Sequence, residues 1–105
     1  MRPYASLRRA AEFSRMRQRG RRFTAGALTI YTADPLRADR TSVVGITVAK
    51  PVGKAVVRNK VRRRVAAILQ QMLPGRRLRL LVVARPGAAA APFTQLRNEL
   101  ERALV

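Results

Sequence analysis

Five cations and one amide crowd into seven consecutive residues of this chain: Arg58, Asn59, Lys60, Arg62, Arg63 and Arg64, interrupted only by Val61. Guanidinium groups fork onto phosphate oxygens and stack on bases, so the chemistry that this run suits is recognition of a polyanion. No carboxylate stands among them, and such a surface repels itself unless a polyanion lies on it. Asn59 is a mediocre helix former on the same exposed face, which sets a recognition role against the alternative of a solvated polar face.

The chemistry that is missing is equally informative. There is no histidine and no cysteine, which removes the commonest general base, the commonest metal ligand and any thiolate nucleophile. The side-chain acids are Glu12, Asp34, Asp39, Glu99 and Glu101, and none occurs from residue 40 through residue 98. Metal-assisted hydrolysis by a protein needs clustered carboxylates; acids so scattered disfavour a self-sufficient nuclease.

The run must be held by a folded scaffold. A hydrophobic fraction of 48% supports a packed core, and 105 residues suit one domain spanning the chain. The formal net charge of +18 favours phosphate polymers or anionic membrane surfaces as partners, nucleic acid first among them. No apolar run approaches the ~20 residues of a membrane span, and no apolar segment of signal-peptide type follows the start. The expected location is cytoplasmic, with neither a membrane nor a small-molecule substrate as partner.

Residues 53–72 read as the central helix. Val57, Val61, Val65, Ile68 and Met72 recur on one side of a 3.6-residue wheel, and Asn59 and Arg63 lie opposite. Residues 1–6 read as irregular, with Ser6 a possible helix cap. Residues 7–19 predict a basic helix ended by Gly20 in the left-handed position. Its Phe13 and Met16, one turn apart, suit packing onto a sheet.

Residues 21–33 favour strand, in two pieces if Ala25 and Gly26 mark a bulge or tight bend. Residues 34–41 predict a loop. In the strand at residues 42–50, Val44, Ile46 and Val48 alternate with Val43, Gly45, Thr47 and Ala49. The small second face, beside Thr29 and Tyr31, predicts a shallow trough if no helix covers it. Pro74 and Gly75 stop the central helix. Residues 80–84 suit a strand buried on both faces. A last helix starts near Pro92, with Phe93, Leu96, Leu100 and Leu104 inward and Glu99 and Glu101 as solvated charges.

Residues 54–63, Lys-Ala-Val-Val-Arg-Asn-Lys-Val-Arg-Arg, resemble the signature of the bacterial ribonuclease P protein subunit. Leu7, Glu12-Phe13 and Gly20 resemble that family's first helix. Tyr31, Val44-Gly45-Ile46-Thr47-Val48 and Lys50 resemble its strands, and Val82-Val83-Ala84-Arg85 its last strand. The resemblance implies a two-layer α/β sandwich of order αβββαβα. Its four-stranded mixed sheet would carry a left-handed helical crossover, against the usual hand.

The resemblance also implies the role: assisting a catalytic RNA that removes the 5′ leader from precursor tRNA, the RNA performing the hydrolysis with bound Mg²⁺. Lys54, Arg58, Asn59, Lys60, Arg62 and Arg63 would face the catalytic RNA. Phe13, Arg17, Tyr31, Thr47 and Lys50 would line the cleft for the single-stranded leader, a stacking platform bordered by cations. No side chain would be catalytic or hold a metal.

Two positions depart from the pattern. Ala66 stands where many members have arginine, with Arg64 at a usually aliphatic or aromatic site. Arg17 stands where many have an aromatic, and would supply charge or a cation–π contact instead. The competing reading is a structural RNA-binding protein, such as a ribosomal protein or RNA chaperone, which needs no single-strand channel.

Overall fold

The structure, a computed structural model, describes residues 3–104. Among them run strand β1 (Tyr4–Ser6), helix α1 (Ala10–Arg19), strands β2 (Arg21–Ala25), β3 (Leu28–Ala33) and β4 (Ser42–Val48), a 3-10 turn (Lys50–Val52), helix α2 (Ala55–Met72), strand β5 (Arg79–Ala84) and helix α3 (Phe93–Ala103). The strands form one mixed sheet in the order β1-β4-β5-β3-β2. β1 and β5 run parallel to β4, whereas β3 is antiparallel to both β5 and β2. Gly26 and Ala27 form the two-residue turn between β2 and β3, the tight bend expected there.

The alternation along the strands decides which side each residue serves. Leu28, Ile30, Val44, Val48, Leu80 and Val82 pack with Val61, Val65, Ile68, Leu69, Leu96 and Leu100 in the main core, so α2 and α3 share one face of the sheet. Val43 and Leu81 point the other way, where Leu7 and Met16 meet them beneath α1. The α2 stripe is therefore as expected, with Leu69 added to it and Val57 and Met72 half-buried at its ends. β5 lies between two neighbours and is covered on both faces, which is why its run is apolar without alternation.

Several expectations need correction. The sheet has five strands rather than four. Residues 4–6 are strand β1, paired with Ser42, Val43 and Val44; residues 1 and 2 of the stretch read as irregular lie outside the described residues. A three-residue strand recruited by a partner so distant in sequence leaves no periodic signal. Ser6 consequently does not cap α1, which starts at Ala10 with no side-chain cap on its N-cap Arg9; the Glu12 carboxylate instead accepts from the Arg8 N–H at 3.2 Å.

Gly20 is not left-handed, for its φ is −68° and its ψ 153°. It is a glycine because a Cβ there would sit 2.6 Å from the Met16 carbonyl oxygen and 3.2 Å from the Tyr31 Cβ. The last helix begins at Phe93, which remains 37% exposed instead of joining its stripe.

A candidate nucleic-acid interface on helix α2 and the adjoining sheet

α2 starts just beyond the end of β4, so the cationic run sits near the end of the sheet where β4 and β5 finish. Its first turn holds no acid, and Lys54 occupies the N-cap without a side-chain capping bond. The positive end of the helix dipole thus adds to the cations, with no acid in that turn to offset it. Asn59, Lys60, Arg62 and Arg63 are exposed, as is Lys54, while Arg58 and Arg64 are half-buried. The Arg62 guanidinium donates to Asn59 Oδ1 at 2.8 Å, which holds that arginine across the helix surface. Arg58 Nε is buried without a hydrogen-bond partner, an arrangement that costs free energy until an acceptor reaches it.

Beside α2 a groove of about 250 Å³ runs between Arg62 and Ala66 on one wall and Tyr4, Leu7, Phe13 and Gly45 on the other. The small side chain of Ala66 leaves this wall open where a longer residue would reach in.

On the opposite face, α1 covers only part of the sheet. The uncovered part is a depression of about 330 Å³ lined by Ala10, Phe13, Ser14, Arg17 and Thr47. Phe13 serves two ends here. A Cβ on Gly45 would lie 2.7 Å from Phe13 Cε1, so the absent side chain lets the ring lie on the strand and pin α1, while its half-exposed surface still forms one wall. Thr47 lines this depression, while its Oγ1 is buried beneath that surface without a hydrogen-bond partner among the described residues.

The structure thus brings together Phe13, Arg17 and Thr47 and leaves two other expected members apart. Tyr31 packs half-buried against the small core beneath α1, and Lys50 projects exposed from the 3-10 turn; neither belongs to that lining. The trough is narrower than the strand pattern suggests because α1 lies across it. A larger hollow of about 520 Å³ sits elsewhere, between α1 and the 34–41 loop. It mixes Arg9, Arg15, Arg19 and Arg79 with Glu12 and Asp34, so its cations are offset in part.

The acids are largely committed to structure. Arg79 donates to Asp39 through Nε at 2.8 Å and Nη2 at 3.0 Å. This hydrogen-bonded pairing lowers the Asp39 pKa from its ordinary value, outweighing the opposing effect of burial, and the Leu36 N–H adds in the same direction. Glu99, expected to be solvated, is 5% exposed and accepts from the Ala27 and Leu28 N–H groups, each at 3.1 Å, and from Gln95 Nε2 at 2.8 Å. Glu101 is exposed and paired with Arg97. Among the described residues no three acids come together at one point.

Fold and surface together define an RNA-binding α+β protein: a mixed sheet with an uncompensated cationic helix on one face and a partly open strand surface on the other. Comparison with known proteins gives the particular family. The Ribonuclease P family model matches residues 1–105. The ribonuclease P protein component of Acidothermus cellulolyticus is 40% identical over 103 residues, covering 93% of this chain and 83% of the relative. That of Chloroflexus aurantiacus is 41% identical over 105 residues, covering 95% and 75%. The solved RNase P protein of Staphylococcus aureus superposes with a TM-score of 0.80 at 26% identity, covering 94% of this chain and 91% of that one.

The chain belongs to the family of bacterial ribonuclease P protein components. Its role is that of a subunit of the ribonucleoprotein endoribonuclease that processes tRNA 5′ ends, with the ribonuclease P RNA as its partner. A structural RNA-binding protein with no part in cleavage is not favoured.

Proposed function

We propose that the protein docks on the catalytic RNA through Lys54, Arg58, Asn59, Lys60, Arg62 and Arg63 and receives the single-stranded 5′ leader of precursor tRNA in the depression at Phe13, Arg17 and Thr47. Tyr31 and Lys50 lie farther along the leader's course. The whole chain acts as one RNA-binding domain in the cytoplasm. Hydrolysis belongs to the RNA, which holds the Mg²⁺; the protein supplies binding and orientation.

The observation that carries this reading is an open depression over strand β4 at Thr47, walled by the Phe13 ring and bordered by the Arg17 guanidinium. A single strand offers what such a site can use: a π-face for Phe13 and phosphates for Arg17.

The test is cleavage of precursor tRNA by a ribonuclease P RNA over a Mg²⁺ titration, with and without the protein. The protein should lower the Mg²⁺ requirement, and it should tighten binding of tRNA carrying a leader more than tRNA lacking one. Absence of stimulation would sink the proposal. Equal binding of both tRNAs would remove the leader from it.

A further inference from the structure

The far end of the sheet gathers a second set of arginines from segments distant in sequence. Arg21 opens β2, Arg76 and Arg77 precede β5, and these three line one hollow of about 340 Å³ with Thr32, Leu78 and Leu104. All three are exposed. Arg76 is held in place, since its Nη2 donates to the Leu104 carbonyl at 3.0 Å where α3 ends. Among the described residues no carboxylate side chain lines this hollow, in contrast to the larger one beside α1.

Folding therefore brings Arg21 to the neighbouring pair Arg76 and Arg77, and a bound polyanion is the direct way to offset the repulsion among the three. The hollow lies at the opposite end of α2 from the cationic run. From Arg58 to Met72 the axis rises roughly 21 Å at about 1.5 Å per residue, so the two cation sets address different stretches of backbone.

We propose that Arg21, Arg76 and Arg77 hold a second RNA backbone segment while the α2 surface holds the first, so that the protein bridges two RNA segments. The bridge rests on the RNA-binding reading of α2; the arginine hollow stands on its own geometry. Recognition is through phosphates and independent of sequence.

The full chain, held substoichiometric, is mixed with two short RNA duplexes, one carrying a donor dye and one an acceptor. Energy transfer between them is expected. Arg21→Ala combined with Arg77→Ala should abolish the transfer yet leave capture of one duplex, and should flatten the log affinity against log salt slope for the second binding step by about 1.5 to 2 units. The corresponding double lysine variant should keep the transfer, because the charge remains. Arg58→Ala with Arg62→Ala and Arg63→Ala should also lose transfer while retaining one duplex, now at the sheet end.

Single capture by the unaltered chain without transfer overturns the bridge and leaves the α2 reading intact. Transfer that survives Arg21→Ala with Arg77→Ala also overturns it. Failure to bind any duplex overturns both readings.

Discussion

α2 and α3 pack side by side on the same face of the sheet, yet their polar residues are used in opposite ways. In α3 they are satisfied within the protein: Glu99 turns inward to the β2–β3 turn, Arg97 pairs with Glu101 at 3.0 Å, and Arg97 also donates to Gln71 of α2 at 2.6 Å. In α2 the cationic run holds an internal bond from Arg62 to Asn59, and among the described residues Arg58 Nε finds no partner. A helix whose charges are consumed internally is fastening the fold, and one whose charges are left over is offering them to something else. The contrast lies in pairing rather than amphipathicity, since both helices bury a continuous apolar stripe.

The contrast breaks most visibly at Glu99. Glu99→Ala leaves two buried N–H groups of the β2–β3 turn without their acceptor, and we expect a loss of about 3 kcal/mol. Urea denaturation should report it, with RNA affinity unchanged where the variant remains folded. Wild-type stability on that substitution would make α3 as solvated as its sequence suggests.

Asp39 fastens the 34–41 loop to β5 with side chains 12% exposed for Arg79 and 9% for Asp39, so Asp39→Ala is expected to cost about 2 kcal/mol by leaving Arg79 unpaired at a nearly buried site. Its folded pKa is depressed, so its stabilising contribution is complete above the unfolded carboxylate value near 4 and is lost as the pH falls through the lower folded value. Acid titration of stability should therefore be shallower in Asp39→Ala than in the natural chain.

α2 should behave in the reverse sense. Arg63→Ala is expected to leave stability within about 0.5 kcal/mol and to flatten the salt dependence of RNA affinity by about one unit. An unchanged slope would place Arg63 outside the interface. The smallest effect belongs to the exposed Arg97–Glu101 pair, where Glu101→Gln should shift stability by only about 0.3 kcal/mol.

Much of this was legible before any coordinates. The α2 stripe, the uncompensated run beside it, the doubly covered β5 and the 34–41 loop follow from spacing and composition, because each depends on local periodicity or on charge that no neighbour in sequence offsets. Glu99 was not legible. On the wheel it borders the stripe of Leu96 and Leu100, and only the arrival of the β2–β3 turn supplies the amides that draw it inward. The signal lay in Gly26, where a Cβ would stand 2.5 Å from Glu99 Oε2, and that signal has meaning only once both positions are adjacent. Ser42 is similar, a buried hydroxyl that donates to the Arg76 carbonyl and accepts from the Leu78 N–H, joining segments more than thirty residues apart.

By itself the sequence determined what the protein can attract and which common groups it does without: a charge of +18 with no histidine or cysteine favours polyanion binding and removes the commonest side-chain general base and any thiolate. It also determined which faces of α2 and β4 turn inward, since a side chain's direction follows from its place in the helical or strand period. Only the tertiary structure decided that β1 joins the sheet, that α1 narrows the strand surface to Phe13, Arg17 and Thr47, and that Arg21 meets Arg76 and Arg77. Those are contacts between segments far apart in the chain, and pairwise distance across a fold is a quantity that no local pattern of residues carries.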